Sequence, residues 1–212
     1  VSALPAEKRG ALYVAGGCAL VGFGAKAGMF PLHIWLPTAH PAAPAPASAV
    51  LSGLLIKTGI YGVLVLSTTI FLHDEAWGLL LAGIGAITMV LGAVLAVCSI
   101  DLKRTLACSS ISQIGLILVG TAKQCLLGEH NALAVDGTIL HILNHSLIKM
   151  VLFPLAGIIH LSTHSYDLNE IRGFGRGKPL LALLMGVPML SLAGVPVLNG
   201  YVSKTLLHES IV

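Results

Sequence analysis

Residues 141–154 read HILNHSLIKMVLFP and combine three ionisable side chains with the composition of a membrane-spanning helix. His141, His145 and Lys149 are four positions apart, so on an α-helix they share one broad face. At about 1.5 Å rise per residue, this file of side chains is roughly 12 Å long. A charged Lys at the centre of a bilayer costs about 2.5–3.5 kcal/mol on insertion scales, so such residues usually face the bundle interior or a wet cavity. We therefore favour a proton path over purely structural hydrogen bonds.

The composition indicates that the whole chain is a membrane protein. Hydrophobic residues make up 56% of the 212 residues and charged residues only 10%, against about 25% charged residues in an ordinary soluble domain. No charged side chain occurs between Trp77 and Ile100, a segment long enough to cross about 30 Å of hydrocarbon. The net charge of +3 without a basic stripe argues against nucleic acid as a partner. The four cysteines lack CxxC spacing, so we expect small buried side chains and no metal site.

We expect an all-α, polytopic transmembrane bundle that forms a single domain over residues 1–212. The predicted spans cover residues 11–30, 47–72, 76–100, 104–122, 132–162 and 180–212. Positive residues are more frequent in the loops 101–104 and 163–178 than at the opposite ends of the spans, which predicts that these two loops are cytoplasmic. The chain begins at Val1 without Met, and we expect it to be part of a longer subunit.

Residues that interrupt a helix occur at two places. They are Pro31, directly after the first span, and Gly194, Pro196 and Gly200 in the sixth span. Irregular backbone at membrane depth is tolerated only where it is buried in protein or lines a cavity, and paired interrupted helices indicate a transporter's site. Gly and Pro also occur in ordinary kinked membrane helices. A Lys beside each break, Lys26 and Lys204, favours the functional interpretation.

The apolar segments contain too many lysines for all of them to extend their amines to the membrane surface. Besides Lys26, Lys149 and Lys204 there is Lys57, which is central in its span, as is Lys149. Burial disfavours the charged form of an amine, so both protonation states become accessible, as a proton relay requires. The proline-rich stretch 31–46 contains His33 and His40 and is expected to be irregular, at the cytoplasmic mouth of the bundle. For these two residues, a role in proton entry and a purely structural role in hydrogen bonding are equally open.

Several motifs, in order, resemble the antiporter-like membrane subunits of respiratory complex I, membrane-bound hydrogenases, formate hydrogenlyases and Mrp-type cation/proton antiporters. The motifs are KAGMFPLHIWLPTAH (26–40), APASAVLSGLLIKTGIY (45–61), SSISQIG (109–115), HILNHSLIK (141–149) and SLAGVPVLNGYVSK (191–204). The resemblance implies a fold of about fourteen helices with two inverted repeats, each containing a discontinuous helix. It also implies a multi-pass protein of the cell inner membrane, with membrane and hydrophilic partner subunits of a respiratory or hydrogenase-type complex.

The resemblance further implies roles for individual residues. Lys26 matches the proton-site Lys of the first broken helix, and Lys57 and Lys149 match lysines of a central hydrophilic axis, with the two imidazoles beside Lys149. Lys204 matches the ionisable residue of the second broken helix, where some relatives have Glu. The Glu that pairs with the first Lys lies on an earlier helix, so we expect the carboxylate partner of Lys26 outside this chain. No haem, iron–sulfur or flavin signature is present, so we expect no cofactor and no redox centre.

The sequence therefore predicts a proton-translocating subunit of a complex I-like NADH:quinone oxidoreductase or a hydrogenase-linked ion pump. Protons would enter near Lys26, pass Lys57 and the 141–149 file, and leave near Lys204, driven electrostatically by redox chemistry in partner subunits. Three alternatives remain: an Mrp-type Na⁺/H⁺ antiporter subunit, a non-conducting scaffold of such a complex, and a carrier for an organic solute.

Overall fold

The computed structural model describes residues 5–127 and 132–211, and nearly all of them are helical. The helices are α1 (Ala6–Ala27), α2 (Trp35–Ala42), α3 (Ala45–Ile70), α4 (Glu75–Val97), α5 (Leu102–Leu127), α6 (Ala132–Thr163), α7 (Pro179–Ala193) and α8 (Asn199–Ile211). Within the two described ranges, the extended backbone forms only an isolated bridge between Asp101 and Asp167. The prediction of an all-α fold is therefore confirmed.

Five of these helices are long and apolar enough to cross a membrane: α1 from Lys8 onwards, and α3, α4, α5 and α6. Their bounds differ from the first five predicted spans by a few residues at each end. The predicted sixth span corresponds to the shorter apolar helix α7, an interruption, and α8. Residue 212, its predicted last residue, lies outside the described residues.

The first interruption separates α1 from α2. Helix α1 ends at Ala27, and Gly28 adopts a φ of 77°, a left-handed conformation that glycine reaches without steric cost. The carbonyls at the end of an interrupted helix need other donors. The Trp35 indole supplies one, because its Nε1 donates to the Ala25 carbonyl oxygen at 2.8 Å. Trp35 thus joins the start of α2 to the end of α1.

The prediction that residues 31–46 are irregular was wrong for Trp35–Ala42, which forms α2. Pro37 lies in the first turn of this helix, where a backbone N–H has no partner within the helix. Pro41 is the next-to-last residue of α2, so the helix ends before further hydrogen bonds are lost. Packing of α2 against α5 buries Leu36 and His40 and stabilises this short helix.

The second interruption lies between α7 and α8. Gly194 adopts a φ of 90° directly after α7, and the Gly200 N–H in the first turn of α8 donates to Ser191 Oγ at 3.0 Å. The Lys204 amine donates to the Leu192 carbonyl oxygen at 2.5 Å. A hydroxyl and an amine therefore hold the broken ends together, and both predicted breaks are present in the structure.

Helix α6 lies at the centre of the described part of the chain, in contact with α3, α5, α7 and α8. Helix α4 packs along α5 over most of its length, and α1 packs against α3. One apolar cluster joins α1 to α5, and a second joins the start of α5 to the last turns of α6. The face of α6 that carries His141, His145 and Lys149 is consequently enclosed by neighbouring helices.

The contact between α4 and α5 depends on Gly115, and we expect Gly115→Ala to lower the free energy of unfolding by about 1–3 kcal/mol, the usual cost of overpacking. A Cβ at this position would collide with backbone atoms of Met89 and Gly85, which cannot move aside as a flexible side chain would. Thermal unfolding of the purified full-length protein should show a lower midpoint.

The matched control is Gly83→Ala on α4, where a Cβ would meet nothing within 4 Å. Ala has the higher helix propensity, so this variant should unfold at an unchanged or slightly higher temperature. Equal shifts in the two variants would contradict the close helix contact.

Candidate functional site

His141, His145 and Lys149 of α6 all point into the bundle. His141 is 2% exposed, and His145 and Lys149 are both 0% exposed. The two imidazole rings are nearly parallel, with an interplanar angle of 5° and centroids 6.3 Å apart. The four-residue spacing therefore produces a single buried file, not side chains spread around the helix.

Lys149 is held by oxygens of α5. Its amine donates to the Leu106 carbonyl oxygen at 2.7 Å and to Ser109 Oγ at 2.6 Å. Both acceptors are neutral, so they orient the amine without providing a counter-charge. Such a group is sensitive to any charge that approaches or leaves its surroundings.

Lys57 lies in the middle of α3, directly after a π-helical turn at Leu51–Leu55. In that turn the Ile56 N–H bonds to the Leu51 carbonyl five residues earlier, in place of the usual partner four residues earlier. The Lys57 amine donates to the Ser52 carbonyl oxygen at the same place. Lys57 is 8% exposed and is therefore almost as enclosed as Lys149.

Serine hydroxyls connect the surroundings of the two buried lysines. Ser52 Oγ and Ser110 Oγ lie 3.0 Å apart, which joins the π-helical turn of α3 to α5. Ser110 follows Ser109, whose hydroxyl accepts the Lys149 amine. A hydroxyl can both donate and accept a hydrogen bond, so these serines place polar groups in the buried region between Lys57 and Lys149.

His141 connects α6 with α5 and α8. Its Nδ1 lies 3.0 Å from Ser203 Oγ, and its Nε2 lies 3.0 Å from Gln113 Oε1. Ser203 precedes Lys204 in α8, so His141, at the N-terminal end of the histidine file, contacts the second broken helix. A further contact, from Asn144 Nδ2 to the Asn199 carbonyl oxygen at 2.8 Å, fixes α6 against the start of α8.

A cavity of about 340 Å³ lies on the far side of this junction. Gln113 and Lys204 line it together with His208, which is two turns from the broken end of α8. His208 is exposed, whereas Gln113 contacts the buried His141. The cavity therefore extends from the junction towards the surface of the described chain.

We refer to the groups that these contacts bring together as the polar axis. Its members are Lys57, Ser52, Ser110, Ser109, Lys149, His145, His141, Gln113, Ser203 and Lys204. The structure brings together all the candidate residues of α3, α6 and α8. The serines and Gln113 are functional candidates that sequence reasoning missed, although residues 109–115 form one of the motifs on which the resemblance rests.

The remaining candidates lie away from the polar axis or at its edge. Lys26 is exposed on the described chain, in the last turn of α1. His33 is half-buried in the first interruption. His40 is fully buried, and its ring stacks on Phe153 of α6 with centroids 4.4 Å apart. Pro31 lies with His33 in the turn between α1 and α2.

Unpaired imidazole nitrogens occur at two fully buried residues. Within the described ranges, both ring nitrogens of His40 and both of His145 have no hydrogen-bond partner. Burying such groups without partners costs free energy, so their presence calls for an explanation beyond packing. No three His, Cys, Asp or Glu side chains converge in these ranges as a metal site would require.

The protein-family model described as NADH:quinone oxidoreductase/Mrp antiporter, transmembrane, matches residues 6–212. This chain belongs to that family. Hydrogenase-4 component B of Escherichia coli is 38% identical over 91% of this chain and 30% of that protein. A Na(+)/H(+) antiporter subunit of Alkalihalophilus pseudofirmus is 38% identical over 93% of this chain and 39% of that protein.

Two solved structures contain a chain with the same fold. A chain of the Mrp complex from Dietzia sp. superposes with a TM-score of 0.87 at 29% identity, over 93% of this chain and 36% of that one. A chain of the membrane-bound sulfane sulfur reductase, an archaeal respiratory membrane complex, superposes with a TM-score of 0.80 at 27% identity. The match covers 90% of this chain and 38% of that one. The present chain is thus a multi-pass membrane protein with the antiporter-type fold. It spans 30% to 39% of the length of these four relatives.

Proposed function

We propose that this chain provides the central part of a proton-translocating subunit, and that protons cross it along the polar axis. The observation that carries the proposal is the series of buried contacts between the two lysines. The Lys57 amine donates to the Ser52 carbonyl oxygen, Ser52 Oγ contacts Ser110 Oγ, and the hydroxyl of the adjacent Ser109 accepts the Lys149 amine. The histidine file then continues to the second broken helix. Every group in this succession can bind or release a proton, or orient a group that does.

Protons reach the axis beside the first broken helix and leave it beside the second. On the entry side, Lys26 requires a counter-charge from outside the described chain, since its amine lies on the outer face of α1. On the exit side, Lys204 and His208 line the 340 Å³ cavity that adjoins Gln113. His40, buried above Phe153, offers a second entry beside the file, and His33 lies nearer the surface.

The driving force in this proposal is electrostatic. Lys149 has two neutral partners and no counter-charge among them, so a charge that moves in a neighbouring subunit changes its affinity for a proton. We infer that the chain works within a multi-subunit complex of the cell inner membrane, because its relatives belong to Mrp, hydrogenase and NAD(P)H-quinone oxidoreductase assemblies. Electron transfer is the task of partner subunits.

A sodium/proton antiporter subunit is the second candidate, and similarity to the Na(+)/H(+) antiporter protein of Alkalihalophilus pseudofirmus favours it. The chemistry of the polar axis argues for protons as the ion that crosses this chain. Sodium is coordinated by oxygen ligands such as unwound backbone carbonyls. The oxygens of the polar axis belong to serine hydroxyls and the Gln113 amide, and they bond Lys149, an imidazole or one another. The lysines and imidazoles of the polar axis repel a sodium ion when they are charged.

We therefore expect proton movement through the full-length protein, in its complex, to continue when sodium is replaced by potassium or choline. Sealed vesicles containing the complex and a pH-sensitive dye measure the rate in each salt. Unchanged rates support a proton path. A rate that falls to background without sodium, and returns in proportion to added sodium, would contradict the proposal in favour of the antiporter.

A further inference from the structure

A second polar site lies at the start of α5, whereas the 340 Å³ cavity is lined by the middle of that helix. There, a cavity of about 610 Å³ is bounded by the connection from α2 to α3, the start of α5 and the last turns of α6. Lys103, His160 and Tyr166 provide its polar groups, and prolines and aliphatic side chains provide the rest of its wall. None of these three polar residues belongs to the polar axis, so the site has a separate role.

Lys103 is the charged centre of this cavity. It is 1% exposed although it is the second residue of α5, and its amine donates to the Ala43 carbonyl oxygen at 2.6 Å. The same amine lies 4.7 Å from the centroid of the Tyr166 ring. An ammonium group has three N–H donors, and the described chain provides one hydrogen-bond acceptor and one aromatic face.

Two further features make the polar end of the cavity suited to an anion. The His160 ring stacks on Tyr166 with centroids 4.1 Å apart, and its buried Nδ1 has no partner within the described ranges. The nearby carboxylates accept backbone N–H groups: Asp101 Oδ1 accepts the Arg104 N–H at 2.7 Å, and Asp167 Oδ1 accepts the Asn169 N–H at 2.8 Å. Among the described residues, no carboxylate forms a salt bridge with Lys103.

The apolar part of the cavity continues from this polar end towards the middle of the bundle. Pro154, Ile158 and Leu161 of α6 line it. Pro154 lies six residues from His160, which corresponds to roughly 9 Å along the helix axis. Ile158 is 49% exposed and Leu161 is 77% exposed, so the groove is open on its outer side. The site thus has a cationic mouth at the ends of three membrane helices and an apolar trough that runs into the membrane region.

We propose that this cavity binds one anionic phospholipid, with the phosphate against Lys103 and His160 and an acyl chain along the trough. The match is one of charge and of shape: a buried cation without a counter-ion meets the phosphodiester, and the apolar wall below it meets hydrocarbon. Basic pockets between helices at a membrane surface characteristically hold anionic headgroups. A zwitterionic lipid would bring its own cation next to Lys103 and bind less well.

Native mass spectrometry of the purified full-length protein, in its complex, tests this site directly. After delipidation, phosphatidylglycerol or phosphatidylethanolamine is added and the bound lipid is counted. We expect retention of one phosphatidylglycerol with at least about tenfold preference, equal to about 1.4 kcal/mol. Lys103→Met should lose this adduct and Lys103→Arg should keep it, because the guanidinium still contacts phosphate. The control is Arg104→Gln, which alters the exposed neighbouring cation and should bind as the wild type does.

The result is decisive in either direction. Equal binding by wild type and Lys103→Met, equal binding of the two lipids, or no adduct because another part of the protein fills the cavity would each overturn the proposal. If Lys103→Met does not assemble, His160→Leu carries the test, and there a tenfold loss supports the site while unchanged binding overturns it. Lipid counting is independent of transport, so the outcome stands whether or not the proton path is correct.

Discussion

Lys149→Ala is expected to reduce proton translocation by at least about 100-fold, the lower end of what a positioned proton-transfer group contributes. The amine is fully buried, and its partners are a carbonyl and a hydroxyl of α5. In the described part of the chain, the neighbouring turns of α6 are packed against α3 and α5, which separates Lys149 from groups at the surface. Loss of the amine removes the only ionisable step between the serine pair and His145 along the described polar axis.

The experiment compares the full-length variants, in their complex, by dye-reported acidification of sealed vesicles. Lys149→Met is measured beside Lys149→Ala because it keeps most of the side-chain volume and so protects the packing. Lys8→Ala, at an exposed position in the first turn of α1, is the matched control and should translocate protons normally. Full translocation by either Lys149 variant, with normal assembly, would refute the proposed path.

Hydropathy and helix-breaking residues predicted the architecture well because both act locally. A span of apolar residues must satisfy its backbone hydrogen bonds within a helix, whatever it packs against. Gly28 and Gly194, with their left-handed φ angles, mark the two breaks through backbone geometry that follows from residue type. The error at α2 has an equally local cause. Proline content alone predicts irregular backbone at 31–46, whereas the first turn of a helix tolerates proline.

The sequence predicts the ionisable residues of the polar axis but not their hydrogen-bond partners. Four-residue spacing places His141, His145 and Lys149 on one face of α6, and the structure encloses that face. Their partners come from sequence positions far away: Ser109 is 40 residues from Lys149, and Ser203 is 62 residues from His141. No local pattern distinguishes these serines from others in apolar helices, so only the packing of α5 and α8 against α6 identifies them.

Exposure was the least predictable property of the charged residues. Lys103 counts as a loop charge in a topology argument, yet the Ala43 carbonyl and the Tyr166 ring enclose it. Lys26 lies inside an apolar run, yet it is exposed on the described chain. The burial of a long side chain depends on which neighbouring element covers it, and that information is absent from the residue's own segment.

His141→Leu is expected to reduce proton translocation by about 10- to 100-fold while the protein still assembles. His141 is the group through which α6 contacts both Gln113 of α5 and Ser203 of α8. An imidazole can accept a proton on one nitrogen and release it from the other, and both nitrogens have partners at hydrogen-bond distance. Leu fills a similar volume but ends the path at His145, so protons no longer reach Lys204.

His141→Gln separates a proton-carrying role from a structural one. Gln can hydrogen-bond to both Ser203 and Gln113, but it does not titrate. If His141 only holds the helices together, His141→Gln should restore translocation; if it carries protons, the Gln variant should remain as slow as the Leu variant. His164→Asn is the control, since His164 is exposed and its φ of 56° suits Asn. Normal rates in both His141 variants would mean that protons reach the second broken helix by a route other than the polar axis.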